Sequence, residues 1–164
     1  MREMTLLAAT LLLAAASTPR PAALADSSRV PLVSACAAAT RQELQRAVGA
    51  SIDAGKPRQE AGGSACDFIG ENGQVTISLH HTVAPLDFAT EISNLKSAMP
   101  EARLTEIPMS GVRALLVDLD SYGVQLHVLR NGRDYMLVSV LGFGNAGQAR
   151  AIAQVIAQRA LSRF

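Results

Sequence analysis

The stretch Gly111–Leu141, GVRALLVDLDSYGVQLHVLRNGRDYMLVSVL, decides the fold. Gly111 to Asp120, Val124 to Arg130 and Tyr135 to Leu141 are strand-forming runs, separated only by Ser121-Tyr122-Gly123 and by Asn131-Gly132-Arg133-Asp134. Breaks this short, rich in Gly, Asn and Asp, connect antiparallel neighbours, so the spacing predicts a β-meander. Arg103 to Ile107, just upstream, reads as a short edge strand.

Working outward, Leu86 to Met99 reads as a helix, with Phe88, Ile92, Leu95 and Met99 at helical spacing and Pro100 as its stop. Before it, Val75, Ile77 and Leu79 alternate with Thr76, Ser78 and His80, a strand with one apolar and one polar face. Ala65 to Ile69 is its predicted partner across the turn formers Glu71-Asn72-Gly73. Thr40-Arg41-Gln42-Glu43 is a capping box that starts a first helix, with Gly49 as its C-cap. At the other end Asn145 caps a last helix to about Ser162, whose stripe is Ala149, Ile152, Ala153, Ile156 and Ala160. Asp53 to Ser64 carries no apolar side chain larger than Ala and reads as a mobile loop. The order α-ββ-α-ββββ-α predicts an α+β fold, a curved antiparallel sheet with its helices packed on one face.

The first 25 residues read as a secretory signal peptide. Arg2 leads into an apolar run from Thr5 to Ala16, and Ala23-Leu24-Ala25 offers an A-x-A cleavage signal. Residues 26–34 are then a disordered lead-in and 35–164 a single domain. Without the signal the chain holds 13 basic and 13 acidic residues, with no basic run to attract nucleic acid. No later apolar stretch reaches the roughly 20 residues of a transmembrane segment. Export, to a periplasmic or extracellular location, favours a disulfide between Cys36 and Cys66, the alternatives being a redox pair or a metal site. Val33-Ser34-Ala35-Cys36 resembles a lipobox, but Pro19, Arg20, Pro21, Asp26, Arg29 and Pro31 separate Cys36 from the apolar core, so release is expected in place of lipid anchoring.

Chemical motifs are sparse. Gly142-Phe143-Gly144-Asn145-Ala146-Gly147 matches G-x-G-x-x-G, yet no acidic residue after Asp134 can hold a ribose, so it reads as a strand-to-helix turn and no cofactor is expected. His80 and His81 are adjacent on a strand and point to opposite faces, so they do not chelate one ion. A polar site would need His127 and a carboxylate, Asp118 or Asp120, expected on one strand face, to converge with His80 or His81. No Ser sits in a G-x-S-x-G elbow, and no catalytic or metal-ligating set is assigned.

Cys36, the Thr40 and Glu43 helix start, the Val48-Gly49 end, the Gly63-Ser64-Ala65-Cys66 return, Phe68 and the late meander before a C-terminal helix form a recognisable pattern. It resembles that of small exported bacterial proteins and lipoproteins of unknown function, chiefly from actinomycetes. The resemblance implies a Cys36–Cys66 disulfide and an α+β domain similar to extracellular sensor domains of bacterial kinases, and it implies no catalytic residue. The expected function is that of a non-enzymatic envelope protein that binds a small ligand or a protein partner. A protein inhibitor or immunity factor is the alternative, and an envelope hydrolase using His127 with Asp118 or Asp120 comes third.

Overall fold

The computed structural model describes residues 33–164; the signal peptide and lead-in expected from sequence lie, up to residue 32, outside the described residues. A short helix α1 (Ala35–Ala38) precedes α2 (Arg41–Val48). Strands β1 (Lys56–Glu60), β2 (Gly63–Ile69) and β3 (Gln74–His81) follow, then α3 (Phe88–Ala98). Strands β4 (Arg103–Met109), β5 (Val112–Asp118), β6 (Gly123–Arg130) and β7 (Asp134–Leu141) lead to α4 (Ala146–Leu161). The strands form one antiparallel sheet in the order β1-β2-β3-β7-β6-β5-β4. The α+β class and the meander are as the sequence predicts.

The predicted caps set the helix ends. Thr40 and Glu43 form the reciprocal capping box of α2, and Gly49 ends it in the left-handed conformation at φ 70°. Asn145 and Gln148 do the same at the start of α4. In the β6–β7 hairpin Asn131 and Gly132 both take positive φ, 54° and 68°. Two such residues in succession match the twist of the flanking strands.

One sheet face carries the main core. Met136, Val138 and Val140 of β7 and Val124, Leu126 and Val128 of β6 are buried beneath α4, which contributes Ile152, Ala153, Ile156 and Ala160, while Val75, Ile77 and Leu79 of β3 join the same core on the side where α1 packs. Each large aliphatic side chain so buried contributes about 1.5–3 kcal/mol relative to exposure. The small alanines let α4 lie close to the strands. Arg163, just beyond α4, donates to both carboxylate oxygens of Glu43 at 2.8 and 2.7 Å and to the Ala38 carbonyl at 3.1 Å, joining the end of the chain to its first helices.

Three features depart from the expected picture. The helices do not all share a face: α3 covers the opposite side, where Phe88 packs with Leu115, Val117 and Leu129 and is flanked by Ile92, Leu95 and Met99. The reason is in β5, whose Ala114-Leu115-Leu116-Val117 run is buried at every position, so the strand must be covered on both faces. The segment read as a loop contains β1, paired with β2 from Lys56↔Asp67 to Glu60↔Gly63. It lacks apolar alternation because it is an edge strand with almost no burial, and Pro57 is tolerated there. The cysteines pair as expected, with Cα atoms 5.0 Å apart, and Cys36 lies in a short helix, α1, that the sequence reading did not include. The bridge therefore pins α1 to β2.

Candidate functional site

On its face α3 packs over β4, β5 and β6 and reaches β7 through Tyr135, so the β1–β2–β3 side of that face has no helix packed on it among the described residues. The register fixes which side chains stand there. One cross-strand row runs Glu60, Gly63, His80, Tyr135, Leu129, and the next runs Arg58, Ala65, Ser78, Leu137, His127. His80 and Tyr135 are direct neighbours, and His127 is diagonal to Tyr135, within aromatic reach. The imidazole of His80 lies 6.4 Å from the Tyr135 ring centroid and that of His127 5.9 Å away.

Glycine makes room for this arrangement. A Cβ at Gly63 would stand 2.1 Å from the Leu79 carbonyl oxygen and 2.7 Å from His80 Nδ1. With no side chain there, His80 lies over β2 and reaches the edge strand, where its Nε2 is 2.9 Å from a carboxylate oxygen of Glu60.

Tyr135 links the sheet to α3. Its hydroxyl donates to Glu91 at 3.0 Å. Having given its one proton to a carboxylate, the phenol oxygen accepts from His127, whose Nδ1 contacts it directly. That contact assigns the Nδ1–H tautomer to His127 and leaves Nε2 unprotonated, 3.4 Å from the Gln125 side-chain oxygen and without a hydrogen bond to it. Burial depresses the His127 pKa to about 4, so the ring is neutral at pH 7. Burial, and then the nearby Glu91 charge, push the Tyr135 phenol well above its usual range. The phenol therefore stays protonated and serves as a fixed donor.

Gly62, His80, Thr82, Leu86, Glu91 and Tyr135 line an open cleft of about 320 Å³ at the N-terminal edge of α3. The Thr82–Asp87 connection forms part of its rim. Val83 in that connection is 89% exposed, while Thr82 and Leu86 donate backbone N–H bonds to Arg133 at 3.0 Å and Gly132 at 2.6 Å. A fixed loop thus presents an unburied apolar side chain beside a polar cleft.

The structure brings His80 and His127 together around Tyr135 but places the two aspartates elsewhere. Asp118 pairs with Val124 at the far end of β5 and β6, three positions from the Leu115↔His127 pair and on the opposite face. Asp120 is not on a strand: it starts a 3₁₀ turn at φ 54°, and its N–H donates to Asp118 at 3.0 Å. The expected single-face carboxylate pair is thus a turn motif, and neither aspartate joins His127. His81 faces away from His80 as predicted and pairs with Asp134 at 2.8 Å. The G-x-G-x-x-G segment is the turn from β7 into α4, where the Asn145–Gln148 capping box engages the N–H groups of Asn145 and Gln148. Among the described residues no group of three or more His, Cys, Asp or Glu is arranged to hold a metal ion. No helix among them is long and apolar enough to cross a membrane.

Tyr135, Glu91 and Glu60 were not singled out from sequence. Tyr135 carried the one available signal, an aromatic with a polar tip on a strand beside small polar residues. Glu91 sits among the polar positions of an amphipathic helix, where nothing distinguishes it from a solvated charge. No family model matches the chain, and searches of curated proteins and of solved structures returned no match.

Proposed function

We propose that this is a non-enzymatic exported protein, periplasmic or extracellular, that binds a protein partner through the cleft beside α3 and the Thr82–Asp87 loop. The carrying observation is Val83, 89% exposed on a backbone held by two hydrogen bonds, next to a half-covered polar sheet face. A filled core with a projecting apolar side chain suits docking of another protein better than capture of a small ligand, which favours a deep apolar pocket. The Cys36–Cys66 disulfide is consistent with an oxidising compartment. An inhibitor or immunity factor would use the same surface, and so would one of the exported proteins that the sequence resembles.

The test is capture of a partner from the native envelope, followed by affinity measurements with Val83→Glu and, as control, Val155→Glu on α4. Val83→Glu should weaken binding at least about tenfold, or about 1.4 kcal/mol, and Val155→Glu should leave it unchanged. Equal affinities for the two variants would exclude the loop as the docking site.

A second reading rests on the carboxylate-oriented imidazole of His80 in the same cleft. A His–Glu pair is an arrangement used for general-base chemistry. Ester or amide turnover that disappears in His80→Gln would establish it, and equal rates in the variant would remove it.

A further inference from the structure

At the opposite end of the sheet, a second cleft of about 390 Å³ opens between the end of α3 and the β5–β6 turn. Met99, Leu119 and Tyr122 supply its apolar surface, and Glu101, Asp118 and Asp120 its charge. Tyr122 is 76% exposed, unusual for a residue with so fixed a backbone. Its N–H donates to Leu119 at 3.2 Å and its carbonyl accepts from Gly142 at 3.1 Å, which ties its backbone to the start of the turn and to the end of β7. Among the described residues none of the three carboxylates makes an ion pair, although Arg103 faces Asp118 across the β4–β5 register. No basic side chain lines the cleft.

An apolar cleft with an exposed aromatic ring and an acidic rim without ion pairs is complementary to a cation that carries its charge on an apolar body. A neutral apolar molecule would leave the rim charges unused, and an anion would be repelled by them. A bare metal ion would gain nothing from Met99, Leu119 and the tyrosine ring. We propose that this cleft binds an alkylated ammonium group, with the methyl groups against Met99 and Leu119, the charge near the face of Tyr122, and the carboxylates of Asp118, Asp120 and Glu101 around it. The site is independent of the Val83 loop, which stands at the other end of the strands.

The experiment is a titration of the full chain with choline chloride, read by the NMR ring resonances of Tyr122, with Tyr135 as internal control. A parallel titration uses 3,3-dimethylbutan-1-ol, the uncharged isostere of choline. Choline should shift Tyr122 saturably and leave Tyr135 unmoved, and the alcohol should bind at least about tenfold more weakly, the difference expected when the charge is recognised. Tyr122→Leu should weaken choline about two- to fivefold through loss of the ring face. Asp120→Asn, chosen because Asn tolerates the positive φ, should weaken it by a similar factor. Phosphatidylcholine and phosphatidylglycerol vesicles separate the sources: co-sedimentation with the first alone assigns a lipid headgroup, and binding of free choline without co-sedimentation assigns a soluble ammonium. Equal affinity for choline and the alcohol, shifts in both tyrosines, or unchanged choline binding in both variants would overturn the proposal.

Discussion

Acidification should destabilise this fold through His127. In the folded chain burial holds the ring's pKa at about 4, against 6.5 for the free side chain. The unfolded chain therefore binds more protons than the folded one between those values, and stability falls as pH drops below about 6.5. Integrated over that interval at 1.36 kcal/mol per pH unit, the loss approaches about 3 kcal/mol, of which about 2 kcal/mol accrues between pH 7 and 5. The ring is 4% exposed and meets only Tyr135 and Gln125 through its nitrogens, with Glu91 one bond further on, so solvent screening does little to reduce the effect. Glu43, held far below the usual carboxylate range chiefly by Arg163, keeps its stabilising charge throughout that window and loses it only at much lower pH. The assay is urea unfolding at pH 7 and pH 5 for the wild type and for His127→Gln. The variant retains a donor toward Tyr135 but cannot titrate. Its free energy should fall by about 2 kcal/mol less than that of the wild type over this range, whatever its stability at pH 7. Parallel pH dependences for the two proteins would refute the assignment of His127 as a buried neutral base.

Reducing the Cys36–Cys66 bridge, which closes a separation of 30 residues, should lower unfolding free energy by about 3–4 kcal/mol on the chain-entropy account. Urea titrations with and without reductant measure it, and a loss below about 1 kcal/mol would show that α1 is held to β2 by packing alone. Gly63→Ala places a methyl group 2.1 Å from the Leu79 carbonyl oxygen and should destabilise by about 1–3 kcal/mol while displacing His80 from Glu60. Thermal unfolding and the His80 ring resonances read both effects, and an unperturbed His80 would show that Gly63 does not set its position.

Most strand positions were legible because apolar alternation and Asn-Gly turns report local geometry directly, as in Val75 to His81 and Asn131-Gly132. The capping boxes at Thr40 and Asn145 were legible for the same reason, since each is complete within four residues. What could not be read was set by neighbours distant in the chain. The β1 strand has no pattern of its own because neither of its faces is buried, and it exists through its pairing with β2. The side of the sheet taken by α3 follows from the doubly buried run in β5, a feature visible in sequence but interpretable only once the strand order is known. The candidate site was half legible. His80 and His127 were marked by residue type, whereas Tyr135, Glu91 and Glu60 join them through register and a helix docked from another face. Asp118 and Asp120 were misplaced because a chain reversal begins between them, and strand periodicity ceases to apply there.

The polar chain from His127 through Tyr135 to Glu91 runs where an apolar contact would have been more stable in acid. Leu115, Val117 and Leu129 already hold the body of α3 through Phe88, Ile92 and Leu95, so the helix does not depend on Glu91 for attachment. What the hydrogen bond to Tyr135 adds is direction. Apolar packing tolerates sliding and rotation of a helix, whereas a 3.0 Å bond from a phenol already engaged by a buried imidazole fixes the N-terminal part of α3 against β7. That part of α3 borders the cleft and follows the loop bearing Val83, so holding it sets the width of the opening and the position of the exposed side chain together. Loss of the Tyr135 hydroxyl would leave His127 buried without its acceptor and free the edge of α3. The resulting change in stability and the change in cleft geometry would share one cause, because the buried imidazole of His127 stands behind the phenol that holds the edge of the cleft.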